Sequence, residues 1–236
     1  MGKVDYGHYI DIPVVEGEKS VRIAAGERID RLFVLKNPSD GIPFDHIIME
    51  SDSVAELCFI VLPGSDFDIS FVADLVGERA NVKISGAYIC GLDEKVSITT
   101  EIRHRVPSCL SYQIINGIAG GNSLVNFSGK IVVAPDAQKT EAYQTNHNVV
   151  LTPKAKVETE PCLEIYADDV KCSHGATIGA LNEDERFYMR SRGIPEEEAR
   201  FLQMLSFISP VLESIPEGAE KEGIMREIVE AIRGVA

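Results

Sequence analysis

Tryptophan is absent from this 236-residue sequence, and so is any pair of cysteines spaced C-x-x-C. The five cysteines stand at 58, 90, 109, 162 and 172. An odd, scattered set argues against a disulfide framework, and without a C-x-x-C pair a zinc ribbon or finger is not expected. No apolar run approaches the ~20 residues of a membrane span. The opening MGKVDYGHYIDIPVV lacks the continuous apolar stretch of a secretion signal, and Tyr6 stands where a myristoylation motif wants Ser or Thr. A cytoplasmic chain with reduced cysteines is the expectation. Positive charge is scarce: 23 Lys and Arg against 37 Asp and Glu leave a net charge of -14. Such a surface repels phosphate backbones, so nucleic acid is not an expected partner. There is no G-x-x-x-x-G-K-[ST] loop, so no nucleotide should bind this chain and ATP chemistry must come from a partner.

What the sequence does have falls into two regimes. At this length one core can bury roughly 70–75% of the unfolded surface, so one main domain is expected. Residues 12 to 180 are rich in short β-type runs: RLFVLK (31–36), LCFIVL (57–62), FDISFVADLV (67–76), NVKISGAYIC (81–90), KVSITTEI (95–102), LVNFSGKIVV (124–133) and NVVL (148–151). Turn-formers separate them, as in LPGSD, CGLDEK, GIAGGNS and VAPDA. Several runs alternate, with Phe67, Ile69 and Phe71 set against Asp68 and Ser70, so each has one inward face. No long helical pattern interrupts them, which argues against repeated βαβ units. Val82, Val96, Val125 and Val157 each open a similar run, at separations of 14, 29 and 32 residues. Read as one, two and two turns of a short repeat, this rhythm suggests a β-solenoid or a sandwich.

From residue 181 to 236 the pattern turns helical. NEDERFYMRSRG has acids first, arginine last and Gly193 as a C-terminal cap. IPEEEARFLQMLSFI puts Pro195 in a favoured first-turn position, and Phe201, Leu205, Ile208 and Leu212 form a stripe, with Leu202 beside it. Pro210 should kink or end that helix. A last helix near 218–234 sets Ile224, Ile228 and Ile232 against Glu220, Lys221, Glu227 and Glu230. These helices either cap the β core or present a docking surface.

The stretch LEIYADDVKCSHGAT (163–177) concentrates chemistry. On a strand, Cys172 and His174 point the same way. Thiolate and imidazole together make two ligands for a soft metal or an iron–sulfur cluster. The same pair would also make a reactive thiol, because a neighbouring imidazolium lowers a cysteine pKa. Against both stands ordinary packing, the commonest role of a free cysteine. Asp168 and Asp169 are adjacent, so on a strand they face opposite sides, which suits a turn better than a catalytic dyad.

TEPCLEIYADDVKCSHGATIGALNEDERFYMRSRGI (159–194), with FSGKIVVAPDAQKTEAYQTNHNVVL (127–151) upstream, closely resembles the core of the SufB/SufD family, the paired scaffold components of the SUF iron–sulfur cluster assembly machinery. The resemblance implies a right-handed parallel β-helix over residues 1–180 and a helical region over 181–236. It implies that the helical region docks an ABC-type ATPase, SufC, and the apolar stripe makes Phe201, Leu205 and Ile208 the candidate contact. It also implies pairing through β-helix ends, as a homodimer or with a paralogue, around a transient two-iron or four-iron cluster. KCSHGAT matches a SufD-like motif that supplies a cysteine and a histidine near that pairing interface, here Cys172 and His174. SufB-like members carry EHEAT instead, and Gly175 stands where their glutamate follows the histidine. Their sulfur-accepting cysteine, in an N-C-D segment, is matched here by His147, which favours a SufD-like identity. Cys162 stands where SufD-like members often have glutamine, and is either a second thiol or a core residue. His147 and Cys162 are thus candidate helpers of the pair.

Three functions follow. The first is a non-enzymatic scaffold subunit of cluster assembly. The second is a β-helix enzyme acting on polysaccharide through Asp168, Asp169 or Glu164, which the missing tryptophan and signal argue against. The third is a structural interaction module with inert cysteines.

Overall fold

The computed structural model describes residues 17, 19–216, 218 and 221–235. The reading of the leader, the first part of the 1–180 unit and Glu220 lie outside the described residues. Among the described residues, twelve strands wind through six coils, each contributing one strand to each of two sheets. The coils are β1 (Ser20–Ile23) with β2 (Arg28–Leu35), β3 (His46–Met49) with β4 (Val54–Val61), and β5 (Phe67–Leu75) with β6 (Asn81–Cys90). They continue as β7 (Lys95–His104) with β8 (Leu110–Ala119), β9 (Leu124–Val133) with β10 (Glu141–Val150), and β11 (Lys156–Ile165) with β12 (Lys171–Gly179). Odd strands form one sheet and even strands the other, and every pairing is parallel. This is a β-solenoid, and the sandwich alternative falls away.

One coil takes 26 residues at the first end, where His46 stands beside Ser20. It takes 32 at the other, where Lys156 stands beside Leu124. Val96, Val125 and Val157 stack directly on one another in successive rungs. The separations of 29 and 32 are therefore single coils rather than two short turns, and the 14 from Val82 is half a coil. A corner residue with positive φ precedes five even strands: Gly26, Asp52, Arg79, Ser108 and Lys139. The corner backbones bond from coil to coil, as in Ser108 N–H to Gln138 O at 2.9 Å.

Alternate side chains of each strand fill the lumen, and its character changes along the axis. Early coils supply rings and aliphatics such as Phe44, Phe59, Phe71 and Ile84. Later coils add Thr100, Gln113, Gln144, Asn146 and Asn148, all at most 2% exposed. Two inward glycines answer the rings. Gly86 lies beside Phe59 and Gly117 beside Tyr88 in register, where a Cβ would sit 2.3 Å and 1.7 Å from ring carbons.

His104 is another inward polar residue. One ring nitrogen bonds Ser111 Oγ at 2.8 Å, and Nδ1 is buried without a partner. Burial pushes its pKa down to about 3. The unfolded chain, with an ordinary pKa near 6.5, therefore takes up this proton first on acidification. Stability from this group is intact above pH 6.5 and falls by about 1.4 kcal/mol per unit as pH drops towards 3. Between pH 7 and pH 5 the native chain should lose about 2 kcal/mol that a His104→Asn variant keeps. Urea unfolding at the two pH values checks this, and equal losses in both proteins would mean that acid acts elsewhere.

Three helices follow: α1 (Glu183–Ser191), α2 (Glu196–Leu212) and α3 (Lys221–Val235). The Asn182 side chain caps α1 by accepting from the N–H groups of Asp184 and Glu185. Gly193, at φ +88°, turns the chain out of it. Pro195 is the N-cap of α2. The helix runs two residues past Pro210 instead of ending there. Proline cannot donate to the carbonyl of Ser206, and the hydroxyl of Ser209 donates to that oxygen instead, at 2.7 Å. Helices α2 and α3 lie on the outer face of the even sheet. Phe201, Met204, Ile208, Ile228 and Ile232 pack there against Cys58, Ile60, Leu62, Ala87, Ile89 and Ile118. Asn116 Nδ2 donates to Phe207 O at 2.8 Å, and Ser85 Oγ to Ser214 Oγ at 2.9 Å.

Candidate functional site

Among the described residues the sixth coil is the edge of both sheets: β12 pairs only with β10 and β11 only with β9. Cys172, His174, Ala176 and Ile178 stand beside Ala142, Gln144, Asn146 and Asn148, which face the lumen. They therefore face the lumen too, but among the described residues no further strand covers them. Cys172 is half-buried against the core, His174 is exposed, and Ile178 and Ile165 are 49% and 40% exposed. The strand period thus sets thiol and imidazole side by side at the open mouth of the solenoid.

The thiol is not activated there. Burial pushes Cys172 above its ordinary pKa, and a backbone hydrogen bond from Ala142 offsets only part of that. A thiolate primed by its histidine, one of the sequence expectations, is not what the surroundings produce. Three of the other four cysteines of the β core are packing residues. Cys58, Cys90 and Cys109 are all buried, and burial pushes the first two up to about 12 and the third upward.

The two candidate helpers do not join the pair within one chain. His147 alternates with the inward residues Asn146 and Asn148, so it lies on the outer face of the even sheet. Its Nδ1 meets Thr177 Oγ1 at 2.8 Å there. Cys162 belongs to the same coil as Cys172 but to the opposite sheet. It stands in register with Lys130, between the inward residues Pro161 and Leu163. It faces outward, beside the Lys130–Glu164 ion pair at 2.8 Å. The parity of one strand against another cannot be read across an intervening corner, so neither the spacing of Cys162 from Cys172 nor the family alignment of His147 fixed which face each residue takes. Among the described residues no group of three or more His, Cys, Asp or Glu side chains is arranged to hold a metal ion.

The carboxylates behave as structural groups. Asp168 and Asp169 sit in the bend between β11 and β12, and Asp169 N–H donates to Gln138 Oε1 at 2.9 Å. Glu164 is engaged by Lys130. The stripe assigned to a partner is also mostly internal. Phe201 and Ile208 are buried and Leu205 is half-buried, with the Arg233 guanidinium 4.0 Å over the Phe201 ring. That face covers the solenoid because an amphipathic stripe on a sheet-packed helix turns inward. The exposed apolar groups of the helical region are Phe187 and Tyr188 on α1 and Leu202 on α2, at 71%, 61% and 37%. Tyr188 and Leu202 line one groove with Met189 and Phe207. Sequence reading passed over Phe187 and Tyr188, whose signal was two adjacent aromatics in an otherwise charged helix. It also missed the polar lumen, visible afterwards as the alternation Gln144, Asn146, Asn148. No helix among the described residues is long and apolar enough to cross a membrane.

Residues 42–207 match the family described as SUF system FeS cluster assembly, SufBD core domain. The iron–sulfur cluster assembly protein SufD of Escherichia coli is 30% identical over 219 residues, 92% of this chain and 52% of that protein. An iron–sulfur cluster assembly SufBD family protein of Synechocystis is 50% identical over 103 residues, 44% of this chain and 22% of that one. One from Pyrococcus horikoshii is 32% identical over 141 residues, covering 60% and 31%. The chain spans about half or less of the length of these relatives. The match over most of the solenoid and into α2 places the chain in the SufB/SufD family of iron–sulfur cluster assembly proteins.

Proposed function

We propose that this chain is a cytoplasmic, SufD-like scaffold subunit of the SUF machinery that helps assemble or hold a nascent iron–sulfur cluster as cargo. The observation that carries this reading is the presentation of Cys172 and His174 on the lumen side of an uncovered solenoid end. Two side chains are too few for a cluster, which takes four ligands, mostly thiolates. A second copy or a paralogue docked on the same end supplies the rest. An open strand edge is also an aggregation hazard unless it is paired, so one contact meets both needs. The subunit is not itself a catalyst, and an ABC-type ATPase of the SufC kind works it through the helical region. A histidine among the ligands eases release, since imidazole competes for protons near neutral pH.

Anaerobic reconstitution with iron and sulfide tests this. Cys172→Ser and His174→Ala should each lower iron and sulfide per folded chain about tenfold, comparable to losing a metal-site contact. Cys58→Ser, Cys90→Ser and Cys109→Ser should leave that ratio unchanged. Light scattering at micromolar concentration should show a dimer or larger species. The upward shift of the Cys172 thiol favours one rival, an interaction module with inert cysteines. Equal behaviour of all five cysteines, or a Cys172→Ser protein that loses stability instead of iron, would select it.

A further inference from the structure

The polar lumen below the mouth holds a buried side chain with one unmet hydrogen bond. Gln144 is 1% exposed and crosses the lumen from β10. Its Nε2 donates to Gly129 O on the opposite sheet at 3.0 Å. A carbonyl acceptor there fixes which end of the amide is nitrogen. Only glycine permits this reach, since a Cβ at residue 129 would stand 2.5 Å from Nε2. The amide is therefore pinned, and its Oε1 is buried without a partner. A buried acceptor left unpaired costs about 1–3 kcal/mol, so a donor is wanted.

The stack of in-register residues narrows the donor. On one side of Gln144 stands Gln113, whose amide is turned to Thr100 Oγ1 at 2.9 Å and makes no bond to Gln144 Oε1. On the other side stands His174, one rung nearer the mouth and about 4.8 Å away along the stack. The competing donor is Thr159, inward on β11, whose Oγ1 is also buried and unpartnered.

We propose that Gln144 is a positioning residue: its amide oxygen accepts a hydrogen bond from one ring N–H of His174 and so turns the other nitrogen towards the cargo. This rests on the assignment of His174 to the cargo site. A histidine that ligates through one nitrogen is oriented by what the other nitrogen bonds, and the pinned amide gives this ring a fixed acceptor before any cargo arrives. It also gives a reason for polar side chains in the late coils, where an apolar lumen would fill the same space.

Nitrogen-15 NMR of the histidine rings reads the tautomer directly in the full chain, without metal. In the native protein above pH 8, His174 should show one dominant tautomer. Gln144→Met, close in volume but without an acceptor, should give a mixture, and Thr159→Val should not. Averaged tautomers in the native protein would overturn the proposal whether or not any variant folds. Cobalt(II) titration supplies the second readout, through its ligand-field and thiolate charge-transfer bands. Gln144→Met should weaken cobalt binding about 10- to 100-fold, as for other groups that orient a ligand. If Cys172→Ser and His174→Ala abolish the bands and Gln144→Met changes neither bands nor tautomer, Gln144 alone is wrong. If Cys172→Ser and His174→Ala leave the bands unchanged, the cargo site is wrong, while the tautomer still decides on Gln144.

Discussion

A Gly117→Ala chain should be less stable than the native one by about 3 kcal/mol or more, the upper end of overpacking costs with a buried hydrogen bond at stake. The added methyl would lie 1.7 Å from the Tyr88 ring and 2.2 Å from its hydroxyl. Tyr88 is fully buried, and its hydroxyl donates to Asn148 Oδ1 two coils further on. The ring has little room to swing aside, because it is fully buried in the core cluster with Val61 and Gly117 as its in-register neighbours in the adjoining coils. Moving it would break the Asn148 contact, and Asn148 also bonds Asn146 and the backbone of Thr177 in the edge strand. The damage should therefore reach the mouth of the solenoid. Denaturant unfolding with an unchanged m-value measures the loss, and a loss under 1 kcal/mol would mean that the ring has room to adapt.

The same position shows how far the sequence was legible. Strands β6 and β9 have the bounds that alternation and apolar content indicate. Strand β8 stayed hidden because IINGIA carries Asn-Gly, the strongest short turn signal. In the solenoid that dipeptide does something else. Asn116 faces outward to hold the α2 backbone, and Gly117 faces inward to admit Tyr88. Most of β10 was missed for a related reason, since its inward residues are Gln144, Asn146 and Asn148, and polar inward positions defeat a hydrophobic pattern. The pairing of Cys172 with His174 was readable, because two residues two apart on one strand share a face whatever surrounds them. Which face that is depends on Gln144 and Ala142 a full coil earlier, and no local pattern carries that information. The same dependence on the neighbouring coil sent Cys162 and His147 to outer faces. For α2, the stripe was legible but its occupant was not: Phe201 and Ile208 meet Ile60, Ile89 and Ile118, which lie far earlier in the chain.

Deleting residues 195–236 should not leave a soluble solenoid. The deletion removes α2 and α3 and uncovers Ile60, Leu62, Ile89 and Ile118, with Cys58 and Ala87 between them, on the outer face of the even sheet. Four large apolar side chains returned to water forfeit about 1.5–3 kcal/mol each, a sum of the order of a whole domain's net stability. The face left behind is a flat apolar sheet surface, which sticks to its own kind. The truncated chain should therefore be aggregated or unfolded by circular dichroism and size exclusion, so its failure to bind an ATPase would say nothing about docking. The contact has to be tested on side chains that the fold does not use. Helix α1 has no buried residue and is tied to α2 by polar links, Arg186 to Glu196 at 2.9 Å and Gln203 to Glu185 at 2.8 Å. Phe187→Ser and Leu202→Glu should thus leave the thermal midpoint nearly unchanged. Pulled down with the SufC-type ATPase of the same organism, each should retain less than about a tenth of native binding, the loss of roughly 1.4 kcal/mol or more that an anchoring apolar contact gives. Native-strength binding by both variants would overturn docking through the α1–α2 face. A truncated chain that stays folded and monomeric would show instead that the helices are an appended module and not part of the core.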